Sequence, residues 1–581
     1  MQRTITLFIV TALLPASLAL AVDNSWVEES NENAQLVLNR MARYSPELAA
    51  GLGVEGYDAE ILDLKENGYQ RRLEDFNKEI DALNQRLQTA ENTKVIQDLE
   101  ILIKNAKDNV HTAALNRQYM LPYYNLPQSL FFGFQSLLDS RVDSARYPAA
   151  LERLKKYNGN AGTTPITTLA MARSSERFSV PGLVGPYRDQ LERDLGNFKR
   201  FLPGIKDLFE TAGLEDWQEE FKLFSEQMTD YKAWLEQEMM PRTRSSHRLP
   251  EEIYANNLKN FGVDVDPQVL MQQAKFGFME IRFEMQAIAS RIAEQRGFES
   301  DDYRDVIKKL KEDQIENDVL LPLYRERLAA IEDIIRREEI ISLPERDAVI
   351  RLATEAESAG IPAPHLNPPQ LIGNTGQPAE FVLVQSLPGD DIDSKMDDFS
   401  YDAFTWTATI HEARPGHELQ FASMIEAGVS IARAVFAFNS ANVEGWALYA
   451  EAIMKEHLPL EGQLLSLQSR AWRAARAMID PMLNLGLIEP AAAKAYIMDE
   501  LVLSNAMAQS EINRYTFQAP GQATSYYYGY MRMLALRTDA ELALRDKFKQ
   551  KAFHDFVLAQ GLLPPKLLAK AVKEEFIPSQ M

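Results

Sequence analysis

The 581-residue sequence contains no cysteine. That absence removes disulfides, thiolate metal sites, cysteine nucleophiles and a lipid-modified N-terminal cysteine together, so any bound metal must be held by His, Asp and Glu. Basic residues are in the minority: Lys+Arg 62 against Asp+Glu 84 gives a formal net charge of -22. An acidic surface of this kind repels phosphate backbones and anionic head groups, which argues against nucleic acid as a partner. Beyond the N-terminus, long uncharged apolar runs are missing too, so no stable membrane insertion is expected of the mature chain. Histidine is scarce, with only 7 in the chain.

What is present is the composition of a folded globular protein, 46% hydrophobic and 25% charged. The length allows three or more domains, or one large helical unit with few boundaries. Residues 1–21 carry Arg3, an apolar run from Ile5 to Leu14, Pro15 and a small-residue ending Ala19-Leu20-Ala21. This reads as a cleaved secretory signal, because about 10 apolar residues before a proline fall short of the roughly 20 that span a bilayer. A bacterial periplasm is the expected address.

The sequence predicts a mainly α protein. Residues 69–119, 186–240, 267–296, 303–339, 460–480 and 491–508 show apolar residues at helical spacing, with breaks at proline- or glycine-containing turns. One segment departs from this habit. Residues 360–388 hold six prolines, and among them lies Phe381-Val382-Leu383-Val384-Gln385, rich in β-formers. A small β-element is expected there, ahead of the metal-binding helix, either as an exposed edge able to pair with extended substrate or as a simple core strand. The same segment separates an N-terminal helical region, 22–369, from a C-terminal region, 370–581, that carries the chemistry.

Two histidines sit six positions apart in His411-Glu412-Ala413-Arg414-Pro415-Gly416-His417. Zinc peptidases usually present His-Glu-x-x-His on a helix, where residues four apart share a face and the Glu serves as general base. Six residues at about 100° each leave the two side chains some 120° apart around a regular helix, and roughly 9 Å apart along it. Pro415 and Gly416 supply the remedy: the pair can bulge outward or end the helix, so that the wider spacing works as the shorter one. Downstream, Glu444 and Glu451 fall seven apart in an apolar helical stretch and hence on nearly one face. An acid on an apolar face needs a partner. Glu444 is thus the expected third metal ligand, leaving a fourth position for water, and Glu451 a candidate to orient a ligand histidine through its other ring nitrogen. The run Ser525-Tyr526-Tyr527-Tyr528-Gly529-Tyr530 offers four phenols, one of which would donate to a developing oxyanion. Arg514, Arg532 and Arg537 are candidates to bind a peptide carboxylate.

On three motifs, His411 to His417, Glu444 to Glu451 and Pro520-Gly521-Gln522-Ala523-Thr524-Ser525-Tyr526, the chain resembles the bacterial domain-of-unknown-function family 885 (DUF885), whose members resemble gluzincin-type zinc peptidases. The resemblance spans most of the mature chain. It implies a largely helical fold, one zinc on His411, His417 and Glu444, Glu412 as general base and Tyr526 at the family's tyrosine position. One residue departs from the pattern: Glu418 stands where the family commonly has a further histidine. The expectation is a periplasmic zinc-dependent metallohydrolase acting on peptides. The alternatives are a catalytically silent helical binding protein and a zinc hydrolase of other amides or esters.

Overall fold

The computed structural model describes residues 25–361, 363–374, 376–384 and 396–581. The expected signal at 1–21 and the last residue of the β-former run, Gln385, lie outside the described residues. Prolines and capping side chains mark the helix boundaries. In α1 (Pro267–Arg296), the Asp266 carboxylate accepts from the backbone of Gln268 and Val269, Pro267 occupies the first turn, and Gly297 closes the helix in the left-handed conformation. Helix α2 (Asn317–Arg337) follows. After the β-segment come α3 (Asp402–Glu412), α4 (His417–Ala427), α5 (Ser440–Met454), α6 (Leu460–Asn484), α7 (Asn505–Asn513) and α8 (Thr524–Leu544). The protein is mainly α, as its sequence predicts, and no helix among the described residues is long and apolar enough to cross a membrane.

Three hydrophobic clusters form among the described residues, the smallest of them Phe421, Met424, Val443 and Leu562 beside α4 and α5. The largest draws on residues from Ala34 to Phe576 and includes α1, α3, α5, α6 and α8. The second is built on Phe131, Phe134, Phe201, Phe209 and Phe224, from the helices Leu126–Leu138, Arg188–Thr211 and Gln218–Trp234.

The β-element is a three-stranded sheet of β1 (Val349–Leu352), β2 (His365–Asn367) and β3 (Glu380–Leu383) in the order β1-β3-β2. Strand β3 runs parallel to β1 and antiparallel to β2, with Phe381 opposite both Ile350 and Leu366. The run is therefore the central strand and not an edge. Every residue of β3 is buried, and Tyr324 of α2 packs edge-on against Phe381 at 5.5 Å. A continuous apolar run is covered on both faces and paired on both sides, whereas an edge strand shows alternation. The free edges belong to β1 and β2.

Two helix junctions position the site. Helix α3 stops at Glu412, the chain turns through Ala413 to Gly416 with a cis Arg414–Pro415 bond, and α4 begins at His417. At Gly416 a Cβ would lie 2.0 Å from the His411 carbonyl oxygen and 2.3 Å from that of Ile410, so only glycine lets the chain fold this tightly against the end of α3. Helices α5 and α8 cross where Gly445 meets Gly529: a Cβ on Gly529 would sit 1.9 Å from the Ala441 carbonyl oxygen. That close crossing brings Glu444, one residue before Gly445, beside Tyr526, one turn before Gly529.

Candidate metal centre

His411 ends α3 and His417 opens α4, and the turn between them folds the two imidazoles together. Their ring centroids are 4.8 Å apart and nearly perpendicular. The structure thus takes the helix-ending alternative: the histidines come from two helices and not from a bulge within one. Glu444 of α5 completes the group. Its Oε2 lies 3.3 Å from His417 Nε2 and 3.6 Å from His411 Nε2. This oxygen is buried and lacks hydrogen-bond geometry to either nitrogen.

Three ligand atoms, one each from His411, His417 and Glu444, lie within 4.8 Å of one another. Tetrahedral ligands at about 2.0–2.1 Å from zinc stand roughly 3.3 Å apart, close to the two Glu444 distances measured here. A buried carboxylate oxygen facing two Nε2 atoms without a hydrogen bond is what a donor set for one cation requires. The residues fit a zinc ion, and the described part of the chain holds no other cluster of three such groups.

The surrounding side chains hold these donors in place. Glu451, one face-repeat along α5 from Glu444, is fully buried; its Oε1 pairs with His411 Nδ1 at 2.6 Å and its Oε2 accepts from Thr407 Oγ1 at 2.9 Å. That bond fixes His411 with Nε2 directed at Glu444. His417 Nδ1 has no hydrogen-bond partner among the described residues. The Trp446 indole of α5 donates to the Pro415 carbonyl at 2.9 Å, tying the turn to the helix that carries Glu444.

Electrostatics follow from this geometry. Burial favours neutral His411, but the carboxylates of Glu444 and Glu451 outweigh it and raise its pKa to about 9. Burial also opposes ionisation of Glu444, and the two imidazoles nonetheless hold its carboxyl well below the usual range. Glu451 is depressed too, against its burial, by the His411 hydrogen bond and the charge of Arg473. A cluster of alternating signs in a dry site is stable as a unit and poised to exchange protons for a metal.

Glu412 points into the same space, its Oε1 4.0 Å from His411 Nε2, and keeps 14% of its side chain exposed. It makes the cavity wall with both histidines, Glu444 and Tyr526. The Tyr526 ring stacks on His411 at 6.4 Å with 11° between planes. Its hydroxyl oxygen accepts from Arg514 Nη2 at 2.7 Å, and the same hydroxyl lies within hydrogen-bonding reach of the Glu444 carboxylate at the cavity wall. The other phenols point elsewhere: Tyr528 donates to Asp264, Tyr527 packs on Gly277, and Tyr530 lies 3.5 Å from Arg470. Of the four, only Tyr526 lines the cavity.

Glu418 does not reach the site. Fully buried, it pairs with Arg414 Nε at 2.7 Å, and Arg414 in turn bonds Glu332 and the Arg346 carbonyl. The residue that replaces the family's usual histidine thus belongs to the scaffold under the turn. Of the three arginines expected to meet a carboxylate, Arg514 lines the cavity, while Arg537 is engaged by Glu541 and Tyr449, and Arg532 is not part of the wall. Sequence reasoning missed Arg473 and Arg476, which do line it. Their spacing along α6 is a helical repeat, yet the sequence gives no sign of which way that face turns.

The cavity itself has a volume of about 820 Å³, within the range that buries small ligands and short chain segments. Phe261, Phe421, Phe438, Val443 and Leu366 make an apolar part of its wall, and Arg473, Arg476 and Arg514 a cationic part.

Comparisons with known proteins agree on fold and leave activity unnamed. No curated protein matches the chain. A solved candidate lipoprotein of unknown function from Shewanella oneidensis is similar at 19% identity and a TM-score of 0.72, covering 94% of this chain and 100% of its own. A candidate lipoprotein from Colwellia psychrerythraea is similar at 17% identity and a TM-score of 0.78, covering 94% and 99%. The sequence pattern of the bacterial proteins of unknown function DUF885 matches residues 46–572, and the chain belongs to that family.

Proposed function

We propose that the protein is a zinc-dependent hydrolase of short peptides, of the gluzincin kind, working outside the cytoplasm. One observation carries the reading: the buried Glu444 oxygen faces two Nε2 atoms with no hydrogen bond of its own, and a second carboxylate, Glu412, stands beside them at the cavity wall. Zinc held by His411, His417 and Glu444 would lower the pKa of a water toward about 7 and polarise the scissile carbonyl.

The chain's own residues do the rest. Glu412 is placed to take the proton of the attacking water and to pass it to the leaving amine. Tyr526, its phenol oxygen held by Arg514, would turn its O–H from the Glu444 carboxylate to give a hydrogen bond to the carbonyl oxygen as charge builds there, keeping its proton throughout. Glu451 keeps His411 in the tautomer that presents Nε2. The cavity volume supports small or extended substrates and not folded proteins.

The location rests on the apolar leader at 1–21 and on the relatives described as candidate lipoproteins. Periplasmic residence is the specific form proposed. Metal analysis of the purified protein, together with a mixed peptide-library digest of wild type and Glu412→Gln, tests the function. About one zinc per chain with cleavage only by wild type is expected. Stoichiometric zinc with no cleavage by either would leave a binding protein, and no zinc would remove the reading.

A further inference from the structure

Helix α6 carries three buried arginines at helical spacing, Arg470, Arg473 and Arg476. Arg476 is neutralised, donating from Nε and Nη2 to the two oxygens of Glu511 at 2.7 and 2.8 Å. Arg473 forms no ion pair among the described residues, although only 8% of it is exposed. Its Nη1 donates to Ser469 Oγ at 2.6 Å, and its Nε is buried with no partner at all. A guanidinium stays charged at any ordinary pH, and a buried charge without a counter-ion is strongly unfavourable. Arg473 nonetheless faces the cavity.

The acids nearby are already committed. Glu451 is bound by His411 and Thr407, Glu444 faces the two imidazoles, and Glu511 is taken by Arg476, Trp472 and Tyr515. Arg514 is committed as well, to Tyr526 and Gln522. Arg193, also in this wall, has an unpartnered Nε too but pairs with Asp194 at 3.3 Å, whereas Arg473 has an unpartnered Nε and no carboxylate at ion-pair distance among the described residues; its guanidinium is a planar fork matched to a carboxylate.

The Tyr526 ring relates this arginine to the metal centre. It stacks 6.4 Å from the His411 ring and has the Arg473 guanidinium carbon 5.9 Å from its centroid. The two separations add to at most about 12 Å, and an extended peptide advances about 3.3–3.6 Å per residue, so a group held by Arg473 lies within about three or four residues of a bond cut at His411.

We propose that Arg473 binds a carboxylate of the substrate, within a few residues of the cleaved bond. This rests on the peptide hydrolase reading and names its substrate class: peptides with a free C-terminal carboxylate or with an acidic side chain at that place, two sources of one chemistry. Glu451 acts on Arg473 only at a distance, and the substrate carboxylate supplies the direct partner that the described residues do not.

Four peptides separate the sources: acetyl-Ala-Ala-Phe-Ala as the free acid, the same peptide amidated, and two amides in which the last residue is Glu or Gln. The zinc-loaded wild type is expected to cleave the free acid on the order of 10²-fold better than its amide in kcat/KM, mostly through KM, as for a buried charge pair deprived of one partner. If the Glu amide matches the free acid while the Gln amide does not, either source serves; if the Glu amide outpaces the Gln amide while the free acid does no better than its own amide, the side chain is the source. In Arg473→Gln the acid preference should collapse toward unity, and Arg473→Lys should restore part of it, with zinc content unchanged in both. Equal cleavage of all four peptides by wild type, which needs no variant to fold, would overturn the proposal while leaving the hydrolase standing. If no peptide is cleaved, the hydrolase reading fails alone, and calorimetric titration decides this one. Binding of the free acid in preference to the amide, lost in Arg473→Gln, would support the site; equal binding would overturn it.

Discussion

Glu412 and Tyr526 both line the cavity beside the metal ligands and are proposed to do different work, so their substitutions should separate. Glu412→Gln leaves His411, His417 and Glu444 intact and should keep zinc and fold. Its kcat should fall by about 10²- to 10⁴-fold, the worth of general-base assistance; an undiminished kcat would end the proposed mechanism. Tyr526→Phe removes one donor, and loss on the order of 10²- to 10³-fold in kcat with little change in KM is expected. Tyr528→Phe is the control, because that hydroxyl is bound to Asp264 away from the cavity. A large loss there with none at Tyr526 would move the oxyanion donor. Glu451→Gln acts through His411: it loses the charge on the 2.6 Å bond to Nδ1 and should weaken zinc about 10- to 100-fold, read by competition with a chelator. The ligand types and their spacing were legible in the sequence because they are local. Arg473 and Arg476 were not, since nothing in a helical repeat of arginines tells a solvated face from a cavity wall.

At the scale of elements, the two histidines meet because a helix stops and another starts, and the stop is enforced by steric contact. Gly416 has φ −75°, so no left-handed backbone demands glycine; the demand comes from the His411 and Ile410 carbonyl oxygens at 2.0 and 2.3 Å from any Cβ. The sequence reading singled out Gly416 for backbone freedom; the close approach of the two carbonyl oxygens adds a steric demand that spacing does not show. Gly416→Ala should therefore be nearly as damaging as Gly416→Val. Both should lose zinc while far-ultraviolet circular dichroism keeps most of the helix signal. If Gly416→Ala binds zinc normally, the junction is looser than its contacts indicate. The strand was legible as β but its position was not: of the edge and the core strand that the sequence left open, the structure takes the core strand, and a wholly apolar run is the mark of a centre. Glu418 shows the same limit, its partner Arg414 being four residues away but its other neighbour, Glu332, lying on α2.

The whole molecule enters through the cavity and through charge. Asn125, Gln128, Gln190 and Arg193 reach the cavity wall from the N-terminal helices, so residues that no motif singled out share it with the metal centre. The metal centre in turn is coupled to global stability by its protons. His411 has a folded pKa of about 9 against an ordinary 6.5, so the folded, metal-free protein holds a proton that the unfolded chain gives up between those values. That contribution is fully present below pH 6.5 and is lost as pH rises through about 9. Glu444 and Glu451 are depressed below 4.5, so their contributions are present above that value and are lost as pH falls through their folded pKa values. Zinc needs the imidazole neutral and must displace the His411 proton, so its stabilisation grows over the range in which the metal-free protein weakens. With a chelator present, the melting temperature should decline from pH 6.5 to 9; with saturating zinc the decline should be smaller, and the gap between the two curves should widen with pH. His411→Gln should flatten the chelated curve and close the gap. A gap that stays constant across this range, at full zinc occupancy, would show that the metal is held without displacing the proton on His411, and the ligand assignment would have to pass to another residue.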